Sequence, residues 1–553
     1  MYDERTENTL LGIEYQKNLG GTGFIDIDSD EAENPEKVRQ AMKKKGAKLI
    51  GPKGKQLKAI ITLLQNIEPN TLRLAMKPGF RGNGFVLGET MIGDANNKYV
   101  WHATAGKPDI GQKGGSLAGW RKEVAPIVAQ SSFAMSAVFI ALAAPLVTYV
   151  ANHLKDTVGL SPLLSEPGVI NFSGGSGTGK TNLSRVGAGT FGSPDAIFKW
   201  DFSRPGLEGA AESRNDLAFV LDDVEKHVET EMTLKNALRL VGQVVPSGMS
   251  KILSPGSRDN GSPERRWTTF GISSSPVPLD ELAEKDGWSR TDGEKVRFIN
   301  ITLPKAVDAG IFDRIPKANK DRVKASKAII KDLERGVAIH FGQVFPEWIK
   351  YLLAKNRSLK VQQYTNSFVT RVTGDGTGYQ KRYAEKFGVL YAAGKLAIEA
   401  GILPWHKDLP WKAVSRCYKL AISSAATVDA QASTKIELLI RLLKVKQRFP
   451  QVPSTGTKIV AYGPNTLGVR TRIKGRSVCA VRDVDLIAFA GSRAIAKVMR
   501  SQLAATGALN AGQGTAGTSQ PGLRIKLSSK SKKVTKPRFW LINEKKLVVG
   551  AKA

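Results

Sequence analysis

Residues 174–181 read Gly-Gly-Ser-Gly-Thr-Gly-Lys-Thr, and this stretch fits the pattern G-x-x-x-x-G-K-[S/T] completely. The apolar run 169–172 precedes it, and helix-compatible residues follow from Asn182. A glycine-rich loop between a strand and a helix turns its backbone N–H groups toward phosphate oxygens, and the helix N-terminus adds partial positive charge. The stretch therefore predicts an α/β fold with a nucleotide phosphate site. A chance glycine-rich turn is the alternative.

The residue types of this loop indicate how it binds ATP and Mg²⁺. Lys180 is predicted to neutralise the β- and γ-phosphates, which also makes it catalytic, and the Thr181 hydroxyl is predicted to bind Mg²⁺. The other residues predicted to contact the nucleotide supply backbone N–H groups or flank the loop: Gly175, Ser176, Gly177, Thr178, Gly179 and Asn182.

A second apolar run, 217–221, ends in two acidic residues, Asp222 and Asp223. Asp222 is predicted to bind Mg²⁺ or its water shell, and Asp223 to polarise the attacking water. An acidic turn at a strand end is the alternative. The strand-like run 196–200 lies between the glycine-rich loop and these acids. We expect it to be inserted between their two strands in the sheet, as in additional-strand ATPases.

Two later apolar runs carry the remaining catalytic candidates. The run 268–272 leads into three serines, and Ser274 is predicted to sense the γ-phosphate or position water. A serine-rich turn is the alternative. Arg297 directly precedes the run 298–303, where an arginine finger reaches the nucleotide of a neighbouring subunit in a ring ATPase. Arg290 is an alternative finger, and a solvent-facing arginine is the structural alternative.

The net charge predicts a polyanionic partner. The chain has 553 residues with 82 Lys and Arg against 50 Asp and Glu, a formal charge of +32. The charge argues against a small soluble metabolic enzyme. Residues 431–553 hold 24 of the basic residues and four acidic ones, a net charge of +20. This region is therefore predicted to bind nucleic acid, and a well-solvated basic tail is the alternative.

The segment 246–266 is predicted to form a hairpin that tracks a single-stranded nucleic-acid backbone. It lies between the acidic strand and the serine strand and is rich in glycine and proline. Its basic residues are Lys251, Arg258, Arg265 and Arg266. An ordinary surface hairpin is the alternative.

Three C-terminal segments favour a winged helix: a helix over 494–506, a small-polar loop over 507–522 and a strand over 538–543. Basic residues on or near this helix and beside the loop are predicted to contact DNA phosphates. They are Arg493, Lys497, Arg500 and Lys532, with Lys530 and Lys533 next to the last of these. A disordered basic tail is the alternative.

One stretch, 133–150, has 18 residues without a charge and is long enough to span a membrane. Because Pro145 lies within it, we interpret it as a buried core helix that is broken or kinked near this proline. The N-terminus lacks a signal-peptide pattern, and two isolated cysteines, Cys417 and Cys479, fit a reducing cytosol. We expect a cytoplasmic protein without membrane attachment.

Several segments resemble the domain-of-unknown-function family 927 of phage, plasmid and island replication proteins. The resemblance spans roughly residues 20–430. The matching segments are AGWRKEVA at 118–125, AAPL at 143–146, FSGGSGTGKT at 172–181, GLE at 206–208, RND at 214–216, FVLDD at 219–223, SGMSK at 247–251, Trp267 with ISS at 272–274, and DGEKVR at 292–297.

The resemblance implies a helicase-like AAA+ core that works as a ring. It places Lys180 and Thr181 in the family's P-loop and Asp222 at its metal-binding acid. Lys251 and Arg297 match the family's basic positions. The sequence departs from the family in two places. Asp223 stands where the family has a glutamate, and Pro276 stands where it usually has an acid. Both departures concern the rate of hydrolysis rather than nucleotide binding.

From these features we predict an α/β protein with an additional-strand P-loop core. The expected parts are an N-terminal α/β domain (1–115), a helical segment (116–160), the ATPase core (161–310), a helical lid (311–430) and a basic C-terminal nucleic-acid-binding region (431–553), for which a winged helix and a disordered tail are the alternatives. The predicted function is an ATP-dependent DNA helicase or translocase of a mobile element, hexameric and served by a primase or other replication partners. A nucleotide-switched DNA-binding protein with negligible hydrolysis is the alternative, and a membrane-associated ATPase is a weaker one.

Overall fold

The computed structural model describes most of the chain. The described residues are 2–3, 10–18, 20–65, 73–93, 99–101, 109–158, 166–224, 232–251, 264–305, 310–313, 315, 321–374, 378–425, 428–443, 445–452, 460–461, 466–473, 476–491, 493–510, 525–526, 534–535 and 539–543. Of the predicted site residues, Arg258 and Lys532 lie outside them, as do Lys530, Lys533 and most of the small-polar loop. The chain forms two compact units, residues 1–425 and 426–553.

The first unit begins with short strands and helices. They are β1 (Tyr2–Asp3), β2 (Leu10–Gln16), β3 (Thr22–Asp28), α1 (Ser29–Ala32), α2 (Pro35–Lys44) and α3 (Lys53–Gln65). Strands β2 and β3 form an antiparallel pair, and buried side chains of the pair and of both longer helices make a small separate core. Helix α2 begins where the Asn34 side chain accepts the Glu36 N–H at 3.0 Å, with Pro35 at its first position.

Two three-stranded sheets follow. Their further strands are β4 (Arg73–Ala75), β5 (Gly79–Arg81), β6 (Gly84–Leu87), β7 (Thr90–Gly93) and β8 (Tyr99–Trp101). Strands β1, β4 and β8 pair in parallel, whereas β5, β6 and β7 form an antiparallel meander.

A long apolar helix lies inside the first unit. After α4 (Leu117–Gly119), a π-helical turn (Trp120–Val124) and α5 (Ala125–Val128), helix α6 runs from Ser132 to Val158. By length and composition α6 qualifies as a membrane span, but 89% of its most apolar window is buried by the protein. It is therefore a core helix, as expected. It is not broken at Pro145, which lies within the continuous helix.

The central part of the first unit alternates strands with helices. These elements are β9 (Val169–Ser173), α7 (Lys180–Phe191), β10 (Phe198–Lys199), α8 (Arg204–Glu212), β11 (Phe219–Asp222), α9 (Leu234–Ser247), β12 (Gly271–Ser275), α10 (Leu279–Lys285), α11 (Asp292–Arg297) and β13 (Phe298–Thr302). The strands form one parallel five-stranded sheet in the order β10-β11-β12-β9-β13. The prediction of a mixed α/β fold is confirmed.

One strand prediction is wrong. We expected the run 196–200 to be inserted between the P-loop strand and the acidic strand, but the inserted strand is β12, and β10 lies at the sheet edge. All five residues of β12 are buried, which suits a central position in a parallel sheet covered on both faces. Strand β10 has only two residues and an exposed Lys199, which suits an edge.

Helices complete the first unit: α12 (Arg322–Ile339), α13 (Val344–Ala354), α14 (Ser358–Thr373), α15 (Gly378–Glu399) and α16 (Leu409–Ala425). Their apolar faces join α6 and one face of the central sheet in a single large core. The other face of the sheet packs on α8, α9 and α10 in a second core. The five strands are therefore held rigidly, and so is the edge where their carboxyl ends meet.

The second unit combines helices with antiparallel strands. Its elements are α17 (Val428–Leu443), β14 (Val460–Ala461), β15 (Val469–Ile473), β16 (Arg476–Arg482), α18 (Asp483–Ala490), α19 (Arg493–Ala505), β17 (Leu509–Asn510), β18 (Ile525–Lys526), β19 (Val534–Thr535) and β20 (Phe539–Ile542). The main sheet has the order β15-β16-β20-β17. Helix α18 is followed by Gly491, whose φ of 96° is left-handed and ends the helix, and α19 starts two residues after this glycine.

Candidate nucleotide and nucleic-acid sites

The predicted phosphate loop connects the buried strand β9 to helix α7. Gly177 and Gly179 adopt φ angles of 75° and 97°, a left-handed conformation that costs other residues free energy. The Gly174 N–H donates to Ser275 O at 3.0 Å, which fixes the start of the loop to the neighbouring strand β12. The sequence therefore places glycines where the loop turns back over the start of the helix.

Lys180 points back over this loop. Its Nζ donates to Gly174 O at 2.6 Å and to Gly175 O at 3.2 Å. The Thr178 hydroxyl donates to Gly175 O at 2.9 Å and closes the loop from the other side. The ammonium group is thus held inside the turn where the motif predicts the phosphates to bind.

The other loop residues divide into two groups. Ser176 and Thr181 are exposed, so their hydroxyls are accessible at the mouth of the loop. Asn182 is buried, and its side-chain amide donates to Glu334 of α12 at 3.1 Å. This bond joins the P-loop helix to the helical part of the unit.

Asp222 ends strand β11 at the same edge of the sheet and is 8% exposed. Its Oδ1 accepts hydrogen bonds from Ser274 Oγ at 2.7 Å and from Ser184 Oγ at 3.1 Å. Ser274 comes from β12, as expected for a serine beside the acidic strand. Ser184 was missed by the sequence reasoning. Its signal was its place on α7, one helical turn after Lys180, on the face that packs against the sheet.

Asp223 has a φ of 63°, which is unusual for a residue other than glycine. Its backbone N–H donates to Ser274 Oγ at 3.1 Å. The Ser274 hydroxyl therefore bonds to both acidic positions, as donor to one and as acceptor from the other. A strained backbone next to a fixed carboxylate is typical of a functional site, where the surrounding structure maintains the strain.

The donor groups at this edge fit a magnesium–nucleotide complex. A Cβ atom placed on Gly175 or Gly177 meets no other atom within 4 Å, so the loop has open space on its outer side. Among the described residues, no three His, Cys, Asp or Glu side chains are grouped closely enough to hold a metal. Mg²⁺ bound to nucleotides needs only one or two protein ligands, since phosphates and water supply the rest. Thr181 and Asp222 are the residues at this edge that could supply them.

The two candidate finger arginines differ in exposure. Arg297 ends α11 with 40% of its side chain exposed, and its Nε pairs with Glu166 Oε1 at 3.0 Å. Arg290 is only 4% exposed and donates to the backbone oxygens of Glu294 and Phe298. Burial lowers the pKa of the Arg290 guanidinium. Arg290 thus stabilises the end of α11 from inside, and Arg297 is the arginine accessible from outside.

The predicted hairpin is present at its base. Met249 and Arg266 form an antiparallel bridge, and Ser250 N–H donates to Arg265 O at 3.0 Å. The side chain of Arg266 is 69% exposed and Lys251 is also exposed, whereas Arg265 lies 3.6 Å from Glu212 with 35% exposure. The hairpin tip, which includes Arg258, lies outside the described residues.

The predicted DNA-binding helix of the second unit is α19. Arg493 and Lys497 are exposed on it, one helical turn apart. Arg500 faces inward: it pairs with Asp483 at 2.5 Å, and its guanidinium lies 4.8 Å from the Trp540 ring centre. Only the first two present their charge to solvent.

Comparison with known proteins supports the fold and the resemblance. No curated protein sequence matches the chain. Among solved structures, one described as an active helicase, Cch of SCCmec type IV, covers 98% of this chain and 94% of its own, with 14% identity and a TM-score of 0.52. At this identity the likeness concerns the fold. The family described as Domain of unknown function (DUF927) matches residues 1–241, and this match confirms the resemblance over that part of the chain.

Proposed function

We propose that the chain is an ATP-dependent DNA helicase or translocase of a mobile genetic element. The observation that carries this proposal is the sheet edge where Lys180 lies in the glycine loop and two serine hydroxyls hold Asp222. Nucleotide hydrolysis requires at least a phosphate-binding loop and, beside it, a carboxylate positioned to bind the metal. Similarity to the fold of an active helicase supports the choice among ATPases.

The residues at the sheet edge have separate roles in this proposal. Lys180 and the loop N–H groups would bind the β- and γ-phosphates of the substrate. Thr181 and Asp222 would hold Mg²⁺, which would supply positive charge against the phosphates. Asp223 accepts a proton from the attacking water. Ser274, which bonds to both acidic positions, fixes their spacing.

The sheet order supports an additional-strand P-loop core, because β12 separates the P-loop strand from the acidic strand. In the second unit, α17, β16, α18, α19, β17 and β20 occur in the order of a winged helix, with β14 and β15 between the first two and β18 and β19 between the last two. The two helices joined by a short turn fit a helix-turn-helix. Its wing would be the segment between β17 and β20, most of which lies outside the described residues.

DNA contacts are proposed at two places. Lys251, Arg258, Arg265 and Arg266 of the hairpin would follow a single strand, and Arg493, Lys497 and Lys532 are the candidates for duplex binding. Arg500, paired with Asp483, is not among them. In a ring of six subunits, Arg297 would reach the nucleotide of the neighbour. A cytoplasmic location and a primase partner complete the proposal.

The test is ATP turnover by the purified full-length chain with and without DNA, together with strand separation on forked substrates of both polarities. We expect DNA to stimulate turnover and one polarity to be unwound, with both activities lost in Lys180→Ala. Lys350→Ala is the matched control, since Lys350 is an exposed lysine paired with Glu347 at 2.8 Å. Full DNA-stimulated ATP turnover by the Lys180→Ala variant would contradict the proposal.

A second candidate is a nucleotide-switched DNA-binding protein with negligible hydrolysis. The observation that favours it is Asp223, whose side chain is one methylene shorter than the family's glutamate and whose backbone is left-handed. Pro276 adds a second departure at the end of β12. On this account turnover is slow and Asp223→Glu raises it. Rapid turnover that Asp222→Ala abolishes would count against it.

A further inference from the structure

Six exposed lysines surround the loop between α2 and α3. We call them the lysine surface, and they are Lys43, Lys44, Lys45, Lys48, Lys55 and Lys58. No acidic residue occurs between positions 37 and 65. The charge here is therefore denser than in the C-terminal region, and it lies on a subdomain with a core of its own.

Nearby carboxylates neutralise other residues instead. Lys37 pairs with Glu31 at 3.2 Å, and Glu36 pairs with both Arg39 at 2.7 Å and Lys53 at 3.2 Å. Hydrogen bonds from Arg39 hold the pKa of Glu36 to about 2, so this carboxylate stays charged and engaged with these cations. Within the described part of the chain, the lysine surface has no acidic partner, and its charge faces solvent.

Glycines and one aliphatic residue lie at the centre of this charge. Gly51 has a φ of 86°, which explains glycine there by conformation. Gly54 is different: it lies in helix α3, its φ is not positive, and an added Cβ meets nothing within 4 Å. Neither conformation nor internal packing requires glycine at position 54, although glycine weakens a helix. Ile50, beside them, is 77% exposed.

We propose that the lysine surface binds the phosphate backbone of a single strand of nucleic acid. The lysines supply the charge, Gly51 and Gly54 permit close approach of the strand, and Ile50 contacts an unstacked base. A Gly-x-x-Gly loop between two helices is one known way of clamping a single-stranded backbone. The lysine surface shares no residue with the nucleotide site, the hairpin or the predicted DNA-binding helix α19, so it goes beyond the proposed function.

A single strand fits this surface better than a duplex or a membrane. In a duplex the bases are stacked inside, so an exposed isoleucine at the centre of the charge would find only phosphate and sugar. An anionic membrane also attracts lysines, but stable attachment needs a broad apolar face, and Ile50 is the exposed aliphatic residue within the described loop. Unstacked bases provide a small apolar surface next to phosphates, which matches this composition.

The test measures binding of a fluorescent oligothymidylate of about ten nucleotides, a length within the usual site size, to the full-length chain across a salt series. Lys48→Ala/Lys55→Ala should lower the slope of log affinity against log salt by about 1.4, because each single-strand phosphate contact contributes about 0.7. Affinity should then fall about 25-fold at 100 mM salt and converge with the parent near 1 M. The control is Lys285→Ala/Lys350→Ala, which removes two exposed lysines that pair with acidic residues.

Gly54→Leu tests whether the strand must approach the backbone closely, because it leaves the charge of the surface unchanged. Leucine favours a helix and position 54 has open space, so folding should be preserved while affinity falls. Ultraviolet cross-linking followed by peptide mapping should place the strand on residues 48–58, and it should do so equally in Lys180→Ala, which distinguishes this site from the nucleotide-dependent function. Parallel arms with RNA and DNA single strands identify which polymer is preferred.

Three results would overturn the proposal. The first is a double variant whose affinity and salt slope equal those of the control. The second is a duplex of the same length that binds the lysine surface more tightly than either single strand. The third is a double variant that no longer binds vesicles containing phosphatidylserine but binds the single strand as the parent does. That result would assign the surface to membranes instead.

Discussion

The phosphate loop and the lysine surface use positive charge in opposite ways. At the loop one ammonium group is held by two carbonyl oxygens, and the acid across from it is held by two hydroxyls. At the lysine surface six ammonium groups project into solvent, and the described residues give them no acidic partner. The net charge of +32 therefore contains two kinds of charge. We call the charge of a side chain held by specific hydrogen bonds or ion pairs, such as Lys180, a placed charge. We call the charge of several unpaired side chains that act together by releasing counterions, as in the lysine surface, pooled charge.

This difference has consequences for mutation. Removing a placed charge should remove an activity outright and depend little on salt, because the group works at short range in a partly dehydrated site. Removing a pooled charge should weaken binding by a similar step for each lysine and lose its effect at high salt. Variants of the two kinds therefore test whether this division of the charge holds.

The largest effect is expected at Arg297, a placed charge that would act on a neighbouring subunit. Arg297→Ala should lower ATP turnover about 1,000-fold, equivalent to about 4 kcal/mol of transition-state stabilisation. Because the finger acts in trans, mixing Arg297→Ala with Lys180→Ala subunits should restore part of the activity. Steady-state turnover of the two variants, alone and mixed, measures this.

Arg335→Ala is the control for Arg297, since Arg335 is 69% exposed and pairs with Asp332 at 3.1 Å. It should leave turnover unchanged. Failure of the mixed subunits to regain activity would mean that Arg297 acts within its own subunit or only in folding, and the ring proposal would lose its support.

The next effect concerns a buried carboxyl group, that of Asp216, six residues before Asp222. Asp216 is 1% exposed, with a φ of 56°, and accepts hydrogen bonds from Thr148 Oγ1 and the Phe80 N–H. Burial raises the pKa of Asp216 from 3.8 to about 6. The folded state therefore favours the protonated carboxyl, so this contribution to stability is complete below pH 4 and is lost as pH rises through 6.

Asp216→Asn should remove that titration. Between pH 4 and pH 7 the free energy of unfolding of the variant should rise relative to the parent by about 3 kcal/mol, the value of roughly two pKa units. Denaturant unfolding of both proteins at several pH values measures the difference. If the free energies of unfolding of the two proteins differ by the same amount at every pH in this range, Asp216 has an ordinary pKa in the folded protein.

The serine hydroxyls at Asp222 should have the third largest effect. Ser274→Ala or Ser184→Ala removes one bond to the carboxylate, and loss of such supporting contacts typically costs 10- to 100-fold in metal affinity or activity. The apparent Mg²⁺ requirement of ATP turnover should rise in both variants. Ser273→Ala is the control, since the neighbouring Ser273 hydroxyl is buried without a hydrogen-bond partner in the described structure. A Ser273 variant as impaired as the other two would point to general damage to β12.

At the nucleotide site, the residues within contiguous motifs could be predicted from the sequence, but the contacts between distant parts of the chain could not. Lys180 and Asp222 could be identified because each follows an apolar strand within a contiguous motif. The position of the run 196–200 could not, since pairing depends on which strands are covered on both faces: β12 is buried throughout, whereas β10 is exposed at the edge. Ser184 became visible only when the helix register placed it 3.1 Å from Asp222.

Charge counting had a similar limit. The excess of +20 after residue 430 predicted nucleic-acid binding there, but the count does not show which side chains face solvent. Arg500 is tied to Asp483 and Trp540, partners 17 and 40 positions away in sequence, and this contact depends on how α18 and β20 pack. The lysine surface was overlooked because its charges are diluted when the whole N-terminal region is averaged.

The smallest effect is expected on α19, where placed and pooled charges lie side by side. Lys497→Ala should lower the salt slope for duplex binding by about 0.9 and affinity about eightfold at 100 mM salt, as for one lost phosphate contact. Arg500→Ala should leave that slope unchanged and instead destabilise the second unit by about 1 kcal/mol, because its ion pair with Asp483 is only partly exposed. Duplex binding across a salt series, with thermal unfolding of both variants, measures the two effects. If Arg500→Ala lowers the slope as much as Lys497→Ala does, exposure is not what decides whether a basic residue of this chain contacts DNA, and the division between placed and pooled charge fails on this helix.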